Sequence, residues 1–118
     1  MKSKKDLKND YKQMKFPMGV FQITNLVNNK ILIGSSNDLN AIWNRIRTQL
    51  RFGNFMIDDL QNDWKKYGEE NFKYEILSEL KQDNPDKTDY SKDIKALEEL
   101  YLEELQPYDE RGYNRRKK

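Results

Sequence analysis

Eighteen residues near the start of the chain, GVFQITNLVNNKILIGSS from Gly19 to Ser36, restrict the fold more than any other stretch. They hold two short runs rich in β-branched and aromatic residues, separated by the polar pair Asn28-Asn29. Asparagine tolerates the positive φ of a tight turn, so the stretch predicts a β-hairpin. Beyond it the period changes. Behind Asp38, a plausible N-cap, Leu39, Ile42, Trp43, Ile46 and Leu50 recur at helical spacing as far as Gly53.

Ile57, Leu60, Trp64 and Tyr67 repeat the helical spacing, and Gly68 ends it. Phe72 to Leu80 alternates apolar and polar at first and reads as a third strand. Lys81 to Asp93, with Pro85, reads as a loop, and Ile94 to Leu105 as a final helix before Pro107. The order β-β-α-α-β-α predicts an α+β fold, a small three-stranded antiparallel sheet flanked by helices. No internal repeat is visible.

With 118 residues the chain is long enough for one small domain and no second core. It contains no His and no Cys. Imidazole catalysis, cysteine nucleophiles, disulfides and His/Cys metal sites are therefore excluded, and any metal must be a hard ion on oxygen ligands. Charged residues make up 36% of the chain and mean hydropathy is −1.11, but aromatics at 12% supply enough apolar surface for a real core. No apolar run is long enough for a membrane span and no apolar segment succeeds the charged start, which points to a cytoplasmic protein without a membrane partner.

The net charge of +2 conceals an uneven distribution. Basic ends, +4 over residues 1–16 and +5 over 111–118, flank an acidic middle. Brought together, the ends would make a cationic face suited to phosphates; kept apart, they are ordinary solvated surface. The domain is expected to span 17–114, between a basic N-terminal arm over 1–16 and a basic tail over 115–118. Leu7, Tyr11 and Met14 give the arm a thin amphipathic helical stripe, more suited to docking on protein than to a membrane.

Glu98 is out of place in the last helix. At about 100° per residue, Ile94, Leu97, Tyr101, Leu102 and Leu105 share one arc, and Glu98 falls inside it while Glu99 and Glu103 face away. A carboxylate facing a core costs several kcal/mol unless it is paired, protonated or metal-bound. Two readings stay open: a rim carboxylate bridged by Lys or Arg, or a ligand for Mg²⁺, which often takes one carboxylate and completes its shell with water and phosphate.

Several segments together resemble a known family. Gly19-Val20-Phe21, Leu32-Ile33-Gly34-Ser35-Ser36, Trp43-Asn44-Arg45, Leu60 to Trp64 with Lys66-Tyr67-Gly68 and Asn71-Phe72, and Leu105 to Tyr108 with Gly112-Tyr113-Asn114 appear in the order found in GIY-YIG nuclease domains. The similarity runs from about Met18 to Asn114. It implies a three-stranded antiparallel sheet with flanking helices and cleavage of DNA phosphodiesters with one divalent metal. It also implies that Glu98 is the metal-binding glutamate and Asn114 the asparagine that closes the domain and supports the active site.

Three other positions depart from the family pattern. The tyrosine of the first motif is Phe21, the tyrosine of the second, proposed in the family as general base, is Leu32, and the helix arginine aligns with Ile42. A histidine found in some members aligns near Phe55. A general base contributes ~10²–10⁴-fold and a preorganised charge stabiliser about 10²–10³-fold, so even one loss is severe. Ile42 and Leu32 extend apolar faces, as they would if the site had been filled as core. Arg45, Arg47, Tyr67, Tyr74 and Tyr113 are the candidates for taking over lost roles.

Three functions compete on these residues. The first is a catalytically defective GIY-YIG-like module that binds nucleic acid or a protein partner, with Arg45, Arg47, Arg51, Arg115 and Arg116, and Lys2, Lys4, Lys5, Lys117 and Lys118, as candidate phosphate contacts. The second is an active Mg²⁺- or Mn²⁺-dependent endonuclease with a rearranged site around Glu98 and Asn114. The third is an interaction protein that uses the N-terminal arm.

Overall fold

A computed structural model describes residues 16–82, 86–87 and 89–115. The expected arm stripe of Leu7, Tyr11 and Met14, and Arg116 with the two terminal lysines, lie outside these residues. Three strands, β1 (Gly19–Asn25), β2 (Ile31–Ser36) and β3 (Phe72–Glu79), form an antiparallel sheet in the order β2-β1-β3. Three helices, α1 (Leu39–Phe52), α2 (Asp58–Tyr67) and α3 (Ser91–Leu105), accompany it. This is the expected α+β architecture.

The hairpin forms with Phe21 opposite Gly34 and Ile23 opposite Leu32. Asn29 adopts the positive φ that its side chain tolerates, +64°. The first strand stops earlier than its apolar run suggests. Asn25 is fully buried and its Oδ1 accepts from the Val27 N–H at 2.9 Å, so Leu26 and Val27 form the turn and stay about half exposed. Gly34 is required by packing: a Cβ there would lie 2.4 Å from Cζ of Phe21, whose ring crosses the neighbouring strand.

Asp38 caps α1, its carboxylate accepting from the Ala41 N–H at 3.0 Å, and Gly53 ends that helix in the left-handed region. The last helix begins at Ser91, three residues before the first apolar position. Asp89 accepts from both the N–H and hydroxyl of Ser91, and Lys87 pairs with Asp93. This exposed first turn is held by polar bonds, so it leaves no apolar period in the sequence. Ile94 is buried and Leu97, Tyr101, Leu102 and Leu105 are partly buried, as the wheel predicts.

The sheet separates two environments. Phe21, Ile23 and Leu32 join Leu39, Ile46, Leu50, Leu60 and Trp64 in the main core, where each buried apolar side chain contributes about 1.5–3 kcal/mol. Strand alternation directs Val20, Ile33 and Ser35 to the opposite face, where α3 crosses β2 and β1.

Candidate functional site

Ser35, near the end of β2, meets Glu98 on the sheet-facing side of α3. The Ser35 hydroxyl donates to the Glu98 carboxylate. Among the described residues this hydroxyl, not a Lys or Arg, is the hydrogen-bond partner of Glu98, so of the two open readings the cationic bridge is absent there and a neutral donor stands in its place. Glu98 is only partly buried and lines an open groove with Ser35, Asn37, Ser91, Ile94 and Lys95. One edge of that groove is the β2–α1 junction, where Ser36 and Asp38 fix the backbone by bonds in both directions.

Asn114 holds the same strand from outside. Its Oδ1 accepts from the Ile33 N–H and its Nδ2 donates to the Ile33 carbonyl, both at 2.8 Å. Just before it, the Ile31 N–H donates to the Arg111 carbonyl and the Tyr113 N–H donates to the Ile31 carbonyl. The C-terminal segment thus closes the edge of β2 in place of a fourth strand. Gly112 is needed for this approach, because a Cβ would fall 2.5 Å from the Ile31 carbonyl oxygen and 2.4 Å from that of Pro107.

Phe21 and Leu32 lie in the main core, 4% and 6% exposed, and Ile42 packs against that core. Glu98 and Ser35 are therefore together, while Leu32 faces the other side of the sheet from Ser35. Tyr74 lies with the core group, its ring stacked on Trp43 at 4.9 Å and 5.5 Å from Phe21. Its hydroxyl donates to the Leu39 carbonyl, and burial, with the charge of Asp38 second, pushes its pKa up to about 12. Such a hydroxyl is spent as a structural donor and holds its proton at neutral pH.

Two solved structures resemble the whole arrangement. One is the catalytic domain of the homing endonuclease I-TevI, with a TM-score of 0.69, 29% identity, and coverage of 85% of this chain and 99% of that one. The other is a glutamate-to-alanine variant of the catalytic domain of the intron endonuclease I-TevI, with a TM-score of 0.69, 28% identity, and coverage of 84% and 93%. Both are GIY-YIG nuclease domains, and the shared fold spans most of this chain. The chain has the fold of a GIY-YIG nuclease domain. No family model matches it, and no curated relative matches it.

The basic residues of this GIY-YIG-like fold differ in availability. Arg45 is exposed on α1. Arg47 lies over the Trp43 ring and donates to the Asn44 side chain at 2.9 Å. Arg51 is held by both carboxylate oxygens of Glu69, at 2.6 and 2.7 Å, a pair that raises the arginine pKa and lowers that of the glutamate. Arg115 reaches back to the Met56 carbonyl at 3.5 Å. Arg116 lies outside the described residues.

Sequence reasoning missed a polar connection inside the domain. The Tyr113 hydroxyl donates to Asp63 on α2 at 2.7 Å and accepts from Asn25 at 3.0 Å. Burial first, and the bond to Asp63 among the other causes, move the Tyr113 pKa upward. Asn25 inside an apolar run was a local signal, but nothing in the sequence connects it to residues 38 and 88 positions away. Tyr113, like Tyr74, is thus committed to holding the fold.

The family resemblance implies a divalent metal. Among the described residues no three His, Cys, Asp or Glu side chains converge on one point. The groove around Glu98, which Lys95 also lines, nevertheless offers hard oxygen donors suited to such an ion, the carboxylate with the Ser35 hydroxyl and the Asn37 amide beside it. That set fits a largely hydrated Mg²⁺ or Mn²⁺ that takes its other ligands from water and phosphate.

Proposed function

We propose that this GIY-YIG-type domain binds nucleic acid without cutting it. The observation that carries this reading is the burial of Phe21 and Leu32 in the main core, at positions where the family resemblance expects catalytic tyrosines. Neither side chain has a hydroxyl to orient or deprotonate water. Ile42 supplies no charge for a phosphate, and the hydroxyls of Tyr74 and Tyr113 are committed to structural bonds.

Glu98 is the residue that would hold Mg²⁺ or Mn²⁺. When bound, such an ion supplies positive charge that neutralises and polarises phosphate oxygens. Ser35 keeps the Glu98 carboxylate oriented into the groove, and Asn114 fixes the strand that carries Ser35. These residues retain binding and orientation but provide no aligned nucleophile. Arg45 and Arg115 add exposed positive charge.

Two measurements test the reading. Titration of labelled duplex and single-stranded DNA and RNA should show binding whose affinity falls steeply with added salt. Plasmid incubated with the protein and Mg²⁺ or Mn²⁺ should remain supercoiled. Cleavage by the wild type that is lost in Glu98→Ala would establish an active endonuclease instead, and absence of binding at low salt would remove the nucleic-acid role.

A further inference from the structure

The two edges of the sheet are treated differently. The C-terminal segment closes β2 at Ile31 and Ile33. Among the described residues nothing pairs with the outer edge of β3. We propose that this edge is a self-association surface that takes a second copy of the chain, antiparallel, with the two-fold axis at Tyr74.

The register is set by the hydrogen bonds at the start of the β1–β3 ladder. Leu26 donates to the Asn71 carbonyl at 2.8 Å, and Thr24 is opposite Lys73 and Gln22 opposite Glu75. Counting by twos, Lys73 and Glu75 turn their main-chain groups toward β1, and Phe72, Tyr74 and Ile76 turn theirs outward. An antiparallel partner must therefore bond at those three residues. With Tyr74 opposite its own copy, Phe72 meets Ile76 of the second copy, and Ile76 is 39% exposed in the single chain.

The charges fit the same register. Lys73 then stands opposite Glu75 of the second copy, and Glu75 opposite its Lys73. Both fall in non-hydrogen-bonded pairs, the positions where cross-strand side chains approach most closely. Within one chain these two residues form only a loose 3.8 Å pair, with side chains 60% and 41% exposed. Centring the axis on Phe72 opposes Lys73 to Asn71, and centring it on Ile76 opposes Lys73 to Glu79 only across the bulge that follows Ile76, where the register of β3 is interrupted. The Tyr74 axis gives two reciprocal Lys–Glu pairs within the regularly paired stretch of β3, Phe72 to Ile76.

Five residues per strand make a small interface, so association is weak and depends on concentration. Sedimentation equilibrium of the full chain, from micromolar concentration up to about 1 mM, should show a monomer–dimer equilibrium weakened by salt. Lys73→Glu places like charges opposite each other twice and should raise the dissociation constant about tenfold. The reversed pair K73E/E75K should restore it. All these side chains are exposed, and thermal melts check that each variant folds. A monomer throughout the range, a dimer unaffected by Lys73→Glu, or no recovery in the double variant would overturn the proposal.

Discussion

Asn114 holds both main-chain groups of Ile33 through one side-chain amide, each bond 2.8 Å long. An amide is the one common side chain that can accept and donate at this spacing, so it substitutes for a residue of a neighbouring strand. Removing it leaves a donor and an acceptor at a partly closed edge. Asn114→Ala should cost about 1–3 kcal/mol, and Asn114→Asp, which keeps the acceptor but sets a carboxylate oxygen against the Ile33 carbonyl, should cost at least as much. Urea unfolding of the two variants beside the wild type measures the difference.

Alkaline pH should weaken the fold through two tyrosines. The Tyr74 pKa is pushed up to about 12, and that of Tyr113 is also moved upward. Above pH ~10 the unfolded chain releases these protons while the folded chain keeps them, so stability falls as pH rises towards the folded values. The slope has a ceiling of about 1.4 kcal/mol per pH unit for each tyrosine, reduced at Tyr74 by solvent screening. Tyr74→Phe and Tyr113→Phe should each flatten the decline between about pH 8 and about pH 11 in urea midpoints.

Mn²⁺ should report on Glu98 without any need for catalysis. Paramagnetic broadening is expected first at the amides of Ser35, Asn37 and Glu98. Glu98→Gln should remove it while changing stability by no more than about 0.5 kcal/mol, because the amide oxygen still accepts from Ser35. Broadening that persists in Glu98→Gln would place the ion elsewhere.

Restoring the family's polar residues should be tolerated unequally. Leu32→Tyr forces a larger side chain into a filled core and should cost about 1–3 kcal/mol. Ile42 is only partly buried, so an arginine there can lay its stem on the core and extend its charge to water. Ile42→Arg should therefore destabilise less, by chemical denaturation, than Leu32→Tyr.

The arginines of α1 should separate in a binding assay. Arg45→Ala removes an exposed charge and should reduce the magnitude of the salt slope of nucleic-acid binding by about one. Arg51→Ala removes a charge already held by Glu69 and should change the slope less.

Local pattern made the hairpin, the two helices between the strands, and the inward direction of Glu98 legible, because each depends on the period of apolar residues within one element. The start of α3 was not legible: its first turn rests on Asp89, Ser91 and the Lys87–Asp93 pair, which leave no hydrophobic period. Nor was the end of β1, where Asn25 turns the chain before its apolar run is complete.

The partners of the site residues lay beyond any local pattern. The sequence determined that Glu98 would face the sheet, that Phe21, Leu32 and Ile42 carry no hydroxyl or charge, and that no imidazole or thiol could replace them. Tertiary structure decided that a Ser35 hydroxyl would meet Glu98, that Asn114 would close β2 at Ile33, and that Tyr113 would bind Asp63 and Asn25. Side-chain direction within an element is dictated by backbone geometry and is written in residue spacing. A hydrogen bond across 63 or 81 positions depends on how the elements pack, and the burial of apolar surface that drives packing carries no record of which polar groups it will bring together.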